Sequence, residues 1–321
     1  KYKTFATPGN WNNHIGVPLS ILSIDNTYDV AVIEIGANHI GEHNLLCDIS
    51  QPTIGIITNC GKDHLEGYET EAGVIQSNNE LYEYISVNNG LAFVNSDDTT
   101  LNQLSTNLNC MYYGSTPSNT NLVSGQTINQ YPFVQLNVTS SNSDKNPFIV
   151  ESRLYGGFQK DNILAAAAIG RHFNIDDPLI KHAIEHYIPT NNRSQVIEWN
   201  NNTVLLDSYN ANPSSMALMI KDFSNYPVKN KILILGDMHD LGQSSKQEHN
   251  KIIQTIKTMS WKQIILVGET FGMFQDDLNC IHFDTSTSLK QYLKETTIED
   301  CFFLVKGSRE IALETAFSNV G

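Results

Sequence analysis

The side chains best suited to chemistry follow short apolar runs. Glu34 stands near the end of the run at residues 28–35 (YDVAVIEI), and Asn59 and His64 follow the run at residues 53–58. A carboxylate within an apolar strand must be paired, protonated or bound to a metal. Glu and His can both bind a divalent cation, although His is an unusual ligand for Mg²⁺. The alternative interpretation is a structural ion pair at Glu34 and a hydrogen-bonded His64 at a strand end.

A loop rich in amides precedes these residues. The sequence TPGNWNNHIGVPL at residues 7–19 places three Asn, two Gly and two Pro in thirteen positions. Such a composition predicts a shaped loop that presents side-chain amides and backbone N–H groups. An ordinary connection rich in turns would have the same composition.

The second half of the chain has a similar arrangement. Asp207 ends an apolar run and is followed by SYNANP, in which Asn210 and Asn212 precede a predicted helix. Asp207 could accept hydrogen bonds from ribose hydroxyls, and the two Asn residues and the helix N-terminus could donate to a carboxylate or phosphate. Alternatively, Asp207 only ends a strand and Asn212 only caps a helix.

Two cations follow the last apolar run. Lys306 and Arg309 flank a Gly-Ser pair that is predicted to open a helix at residues 310–317. This arrangement is typical of an anion site at a helix N-terminus, and a solvated pair of cations is the alternative. The loop at residues 236–242 (GDMHDLG) is another strand-end segment, with two acids.

The hydrophobic pattern shows which elements must position these residues. Apolar runs predict buried parallel strands early in the chain, antiparallel strands in its middle and parallel strands again in its second half, at residues 28–35, 53–58, 91–95, 111–113, 133–138, 148–154, 203–206, 232–235, 264–267 and 302–305. Helical patterns lie between them, at residues 41–49, 71–85, 162–173, 181–187, 214–223, 249–259 and 310–317. The fold class is therefore α/β: a parallel sheet with an antiparallel extension, followed by a Rossmann-like domain. The polar segment IPTNNR at residues 188–193 predicts a boundary between domains 1–190 and 191–321.

Composition excludes several classes of function. The 321 residues carry a net charge of −14, which argues against a broad basic surface for nucleic acid. No apolar run approaches the roughly 20 residues that cross a membrane. The five cysteines form no CxxC pair, so we expect reduced thiols in a cytoplasmic protein, and we expect a monomer.

Seven ordered motifs resemble those of the Mur ligases, over nearly the whole chain. They are TPGNWNNHIGVPL, AVIEIGANHIGE, ITNCGKDHLEGY, NNRSQ, DSYNANPSSM, LGDMHDLG and VKGSRE. The resemblance is greatest to the members that join D-alanyl-D-alanine to UDP-N-acetylmuramoyl-tripeptide. It implies an ATP-dependent amide-bond ligase of peptidoglycan precursor synthesis that works through an acyl phosphate, with Mg²⁺ as cofactor. The domains at 1–190 and 191–321 would then be the central ATP-binding domain, incomplete at its N-terminus, and the C-terminal domain.

The resemblance also implies roles for individual residues. Glu34 would bind the Mg²⁺ that bridges the ATP phosphates, and His64 a second Mg²⁺ near the acyl phosphate. For the nucleotide, Asn162 would contact adenine, Arg193 the phosphates and Asp207 the ribose, with Asn59 beside them. Tyr209, Asn210 and the segment with Lys306 and Arg309 would position nucleotide and dipeptide once the domains close.

Two departures from the family pattern limit this expectation. No G-x-x-G-K-[ST] phosphate loop precedes TPGN or occurs elsewhere, and the domain that holds the uridine nucleotide is absent, so we expect no full reaction from the chain as printed. Asn78 also occupies the position of a lysine that is commonly carbamylated in the family. We therefore expect either a fragment of a working ligase or, alternatively, a degenerate homologue that serves as a weak nucleotide- or peptide-binding scaffold. A dinucleotide-binding dehydrogenase is disfavoured because no GxGxxG follows any strand.

Overall fold

Two six-stranded sheets form the framework of the part of the chain that the structure describes. The computed structural model describes residues 1–61, 65–68, 70–141 and 146–318. Its helices are α1 (Gly16–Leu22), α2 (Glu42–Ser50), α3 (Leu65–Tyr68), α4 (Glu71–Val87), α5 (Thr99–Leu104), α6 (Gln159–His172), α7 (Asp177–His186), α8 (Pro213–Asn225), α9 (Ser245–Lys257), α10 (Glu269–Gly272) and α11 (Ser286–Glu295). No helix among these residues is both long enough and apolar enough to span a membrane.

The first large sheet combines parallel and antiparallel strands. Its order is β3-β4-β5-β6-β7-β8, formed by β3 (Ile54–Ile56), β4 (Leu91–Asn95), β5 (Cys110–Gly114), β6 (Asn121–Asn129), β7 (Gln135–Thr139) and β8 (Phe148–Glu151). Strands β3 to β6 are parallel, and β7 and β8 are antiparallel to their neighbours. The predicted α/β class is confirmed. The antiparallel orientation predicted for residues 111–113 is wrong, because β5 is parallel to both β4 and β6.

The strand before Glu34 is shorter and more exposed than predicted. Residues 28–35 contribute only β2 (Val30–Val32), which pairs in parallel with β1 (Thr4–Ala6) in a separate two-stranded sheet. Val32 is 56% exposed, so the prediction of a buried strand is wrong here. Glu34 therefore lies beyond the strand in an exposed segment.

The second large sheet places β14 between two strands that precede it in the chain. Its order is β13-β12-β11-β14-β10-β9, formed by β9 (Gln195–Trp199), β10 (Asn202–Asp207), β11 (Lys231–Gly236), β12 (Gln263–Val267), β13 (Ile281–Phe283) and β14 (Phe302–Lys306). All pairs are parallel except β9 with β10. The register aligns Asp207 with Lys306 at the carboxyl edge, where parallel α/β sheets bind ligands.

Local sequence signals explain several helix ends. Thr70 accepts a hydrogen bond from the N–H of Gly73 and caps α4, and Asn212 and Ser215 form a reciprocal capping box at α8. Helix α2 is capped from a distance, since buried Glu80 accepts hydrogen bonds from the N–H groups of Gly41 (2.6 Å) and Asn44 (2.9 Å). The helix predicted at residues 310–317 is wrong. Two 3₁₀ turns, Arg309–Ile311 and Leu313–Ala316, meet at Ala312, whose φ of 52° interrupts an α-helix.

Aromatic side chains join the two halves of the chain. Tyr155 packs into the core beneath the second sheet, with its ring centre 6.1 Å from that of Phe302. The ring centres of Tyr131 and Tyr226 lie 5.1 Å apart. The hydroxyl of Tyr131 donates to the backbone carbonyl of Asp222 (3.1 Å). We call this contact the domain junction. It fixes how the walls of the adjoining cleft face each other.

Candidate active site

A cleft of about 1210 Å³ runs between the two sheets and collects most of the predicted site residues. Its first wall includes Glu34, Asn59 and Asn162, and its second wall includes Arg193, Asp207, Tyr209, Asn210 and Lys306. Arg309 does not line the cleft but contacts Tyr209, which does. His64 lies outside the described residues.

Asp207 and Lys306 form a buried ion pair at the carboxyl edge of the second sheet. Lys306 Nζ lies 2.6 Å from Asp207 Oδ2 and also donates to the carbonyl of Asn210 (3.2 Å). The side chain of Lys306 is only 2% exposed. Its charge is therefore balanced within the protein, and an α-helix N-terminus does not follow it. The solvated pair of cations considered for Lys306 and Arg309 is likewise wrong for Lys306.

The other oxygen of Asp207 holds the segment between the domains. Asp207 Oδ1 accepts hydrogen bonds from the N–H of Ser194 (2.9 Å) and from its hydroxyl (3.3 Å). Ser194, Asn191 and Asn192 all have positive φ angles, of 49°, 58° and 57°. Asn adopts this left-handed conformation more readily than Ser, which needs stabilising contacts. The carboxylate thus stabilises a strained turn at the end of the predicted boundary segment, residues 188–193, which we call the linker.

Two arginines share one aromatic ring beside this pair. The Cζ of Arg193 lies 4.0 Å from the ring centre of Tyr209, and the Cζ of Arg309 lies 5.3 Å from it. Both arginines are exposed, and neither is in an ion pair with any residue that the structure describes. The ring positions both guanidinium groups through cation–π contacts.

Glu34 is oriented by the amide-rich loop. Asn12 Nδ2 donates to Glu34 Oε1 (2.9 Å), and the N–H of Glu34 donates to Thr7 Oγ1 (2.8 Å). The loop is tightly built, because a Cβ at Gly16 would lie 2.4 Å from the Cα of Trp11. Sequence reasoning did not single out Asn12, although the predicted presentation of amides by this loop was the signal that could have found it.

The donor set at Glu34 suits a hard cation. Its carboxylate is exposed and is in no ion pair with the described residues. Mg²⁺ in proteins is typically held by one or two carboxylates together with substrate phosphates and water. Within the described part of the chain, no group of three His, Cys, Asp or Glu side chains could enclose a metal. An open site that shares its ligands with a nucleotide therefore fits better than a closed cage.

Three asparagines complete the first wall. Asn59 Oδ1 accepts from the N–H of Gly61 (3.1 Å), and Asn162 Nδ2 donates to Gln159 Oε1 (2.9 Å) in the first turn of α6. Asn78 lines the same cleft and donates to the carbonyl of Val74 (2.9 Å) along α4. This neutral amide stands at the position where the resemblance predicts a lysine.

The loop at residues 236–242 has a structural function in this protein. Buried Asp237 accepts hydrogen bonds from the N–H groups of Thr270 and Phe271, both at 2.8 Å, at the start of α10. His249 Nε2 accepts from the N–H of Met238 (3.0 Å), and its Nδ1 lies 2.8 Å from the carbonyl of Ser245. This pattern requires a neutral imidazole with its proton on Nδ1.

We expect the protein to become less stable as the pH is lowered, because of this histidine. Burial lowers the pKa of His249, and burial also lowers that of His43. The unfolded chain, with a His pKa near 6.5, binds protons that the folded protein excludes, so stability declines as pH falls through about 6.5 towards the lowered values. Thermal unfolding between pH 7.5 and 5.5 measures the slope of stability against pH. His249→Gln should flatten it, and an equal slope in the variant would contradict the assignment.

Matches to family models define the class of protein. Residues 1–170 match the Mur ligase middle domain, and residues 192–309 match the Mur ligase glutamate ligase domain. The chain therefore belongs to the Mur ligase family.

Individual relatives narrow the comparison. The chain is 30% identical to the UDP-N-acetylmuramoyl-tripeptide–D-alanyl-D-alanine ligase of Escherichia coli strain K12, over 97% of this chain and 69% of that protein. The enzyme of the same name from Bacillus subtilis strain 168 is 25% identical, over 98% of this chain and 69% of that protein. A crystal structure of MurF from Acinetobacter baumannii superposes on this chain with a TM-score of 0.86 at 25% identity. The superposition covers 98% of this chain and 70% of that one.

Proposed function

We propose that this chain functions as part of an ATP-dependent ligase that joins D-alanyl-D-alanine to UDP-N-acetylmuramoyl-tripeptide. The relatives that carry this name match almost the whole chain. The observation that supports the proposal most directly is the cleft, whose first wall carries an open carboxylate at Glu34 and whose second wall carries Asp207 and Arg193. These are the groups that a nucleotide with its metal requires.

The reaction needs an activated carboxylate and an amine. The terminal carboxylate of the tripeptide attacks the γ-phosphorus of ATP, the bond to ADP breaks, and an acyl phosphate forms. The neutral amine of the dipeptide then attacks the carbonyl carbon, and the tetrahedral intermediate loses the extra proton on nitrogen and expels phosphate to leave the amide. Activation is needed because a free carboxylate has no good leaving group. Bound Mg²⁺ would neutralise charge as the phosphate and carboxylate approach.

The residues of the cleft would share the work of binding. Glu34, oriented by Asn12, would hold the cation, and Asn162 and Asn59 would line the nucleotide site. Asp207 Oδ1 already accepts two hydrogen bonds from Ser194, and Oδ2 accepts one from Lys306, so Oδ2 keeps a lone pair that a ribose hydroxyl can use. Lys306 would act by positioning Asp207 and the carbonyl of Asn210. His64 remains a proposed second metal ligand.

The linker between the domains would couple domain closure to catalysis. We place the boundary between the domains at residues 190 and 191, next to the strained turn that contains Arg193. Closure would bring this guanidinium to the phosphates only when both walls are engaged. We also propose that the protein acts as a cytoplasmic monomer. Five free cysteines are consistent with a reducing compartment, and the acidic charge is unsuited to nucleic acid.

Phosphate release from ATP tests this proposal. It should be measured with tripeptide nucleotide and dipeptide, with each omitted in turn, for the printed chain and for this chain joined to the N-terminal part of the Escherichia coli relative. We expect release only in the joined protein and only with both substrates. Release that ignores either substrate would reject the ligase function, as would a folded joined protein that neither binds ADP nor releases phosphate.

A further inference from the structure

The exposed face of α7 carries two histidines that are four residues apart. Ile180 and Ile184 form the buried face of this helix and pack in the core of the first large sheet. His182 and His186 lie away from that core, and both are exposed. Residues four apart are neighbours on a helix surface, so the two side chains can meet in solvent. Neither imidazole is needed to fill the core.

The two imidazole rings are in contact. Their centres lie 3.9 Å apart, with an angle of 35° between the ring planes. Two histidines at this spacing on an α-helix can bind one metal ion, because both project from the same face. An imidazole nitrogen suits Zn²⁺, Ni²⁺ or Cu²⁺, whereas Mg²⁺ prefers oxygen ligands. The contact thus places two nitrogen ligands for a transition metal beside each other.

The ring of His186 is already held in the form that a metal requires. Its Nδ1 lies 2.8 Å from the backbone carbonyl oxygen of His182. A carbonyl can only accept a hydrogen bond, so Nδ1 carries the proton, and the neutral ring keeps a lone pair on Nε2. Histidines that bind metals typically donate their second ring N–H in this way, which fixes the tautomer and the ring orientation. This hydrogen bond is independent of the ring contact and indicates the same use.

The acidic neighbour of the pair is engaged elsewhere. Glu185 Oε1 accepts a hydrogen bond from the N–H of Glu151 (2.9 Å) and lies 3.6 Å from Lys181 Nζ. Across the ranges that the structure describes, no group of three His, Cys, Asp or Glu side chains could enclose a metal. Two imidazoles with water in the remaining positions would therefore form an open site whose ion exchanges with solvent.

We infer that His182 and His186 form a binding site for a divalent transition-metal ion of the Zn²⁺ and Ni²⁺ class. Neither residue lines the cleft, so this site is separate from the Mg²⁺ site proposed at Glu34. Helix α7 ends at His186, and the linker begins at residue 188. An ion that bridges the two rings would hold the last turn of α7 in helical form next to the linker. The inference does not depend on the proposed function.

Titration calorimetry of the printed chain with Ni²⁺, in excess Mg²⁺, tests the inference. We expect a site for which Mg²⁺ does not compete. His182→Gln and His186→Gln should each weaken Ni²⁺ binding at least about tenfold, since the loss of an outer partner of a metal ligand already costs that much. Hydrogen exchange locates the site, because the amides of residues 183–187 should exchange more slowly when Ni²⁺ is bound to the wild type.

A variant with the same number of histidines provides the control. Lys181→His combined with His182→Gln places the two imidazoles five residues apart, about 140° around the helix, so they cannot bind one ion. This variant should bind Ni²⁺ as weakly as His182→Gln alone. The assignment is overturned if the wild type does not bind Ni²⁺, or if either single variant or the control binds it as tightly as the wild type. Protection from exchange that excludes residues 183–187 would overturn it as well.

Discussion

Replacing Asp207 with asparagine is expected to lower the free energy of unfolding by about 3–5 kcal/mol. The amide keeps the size of the side chain but removes the charge that balances buried Lys306, which is 2% exposed. It also weakens the hydrogen bonds that hold Ser194 in its left-handed conformation. Urea unfolding followed by tyrosine and tryptophan fluorescence measures the change, provided that the transition is assigned to the second domain.

A surface pair supplies the control for this prediction. Lys181 and Glu185 lie 3.6 Å apart on α7 and are partly exposed, so Lys181→Gln should cost no more than about 0.5 kcal/mol. The double variant Asp207→Leu with Lys306→Met removes both charges and should recover much of the loss, because no unpaired ion remains. If Asp207→Asn costs as little as the surface variant, the ion pair does not stabilise the fold as described.

Replacing Glu34 with glutamine is expected to weaken Mg²⁺-dependent ADP binding by roughly tenfold or more while leaving stability unchanged. Glutamine can still accept from Asn12, but it lacks the negative charge that a hard cation prefers. Since Glu34 is exposed, its replacement leaves no buried group without a partner. Calorimetric titration of ADP with Mg²⁺ and with EDTA separates the metal-dependent part of the affinity.

An exposed carboxylate outside the cleft provides the comparison. Glu83 accepts a hydrogen bond from Asn79 on α4 and does not line the cleft, so Glu83→Gln should match the wild type in both titrations. A Glu34→Gln protein whose ADP affinity responds to Mg²⁺ as strongly as the wild type would exclude Glu34 as the metal ligand. If the Glu34→Gln protein unfolds at a temperature close to that of the wild type, any loss of ADP affinity is a local effect of the substitution.

Short-range signals predicted those elements whose causes are local in sequence. Strand β4 has the predicted bounds, and the Asn212–Pro213 start of α8 is confirmed because a capping residue and a first-turn proline act within four positions. The direction of β5 depends on how the chain returns to the sheet, which its own five residues do not encode. The pattern at residues 310–317 is helical, but the conformation of Ala312 overrides it.

The same distinction applies to the candidate site. The sequence predicted that Glu34, Asn59, Asp207 and Lys306 end or follow strands, and the structure places them at one cleft. It did not predict that Lys306 is buried, because the partner that makes burial tolerable is 99 residues away. The pairing of Arg193 and Arg309 on Tyr209 was also not predicted, since three distant segments must meet to form it.

The domain junction limits how far the two halves can be treated as modules. Tyr155 belongs to the first half by sequence, yet it packs in the core of the second half against Phe302 and Tyr226. A protein cut at the linker would leave an apolar hole in the core of its second piece. Chimeras between relatives should therefore exchange Tyr131 and Tyr155 together with α8 and β14, because these segments pack against one another across the sequence boundary.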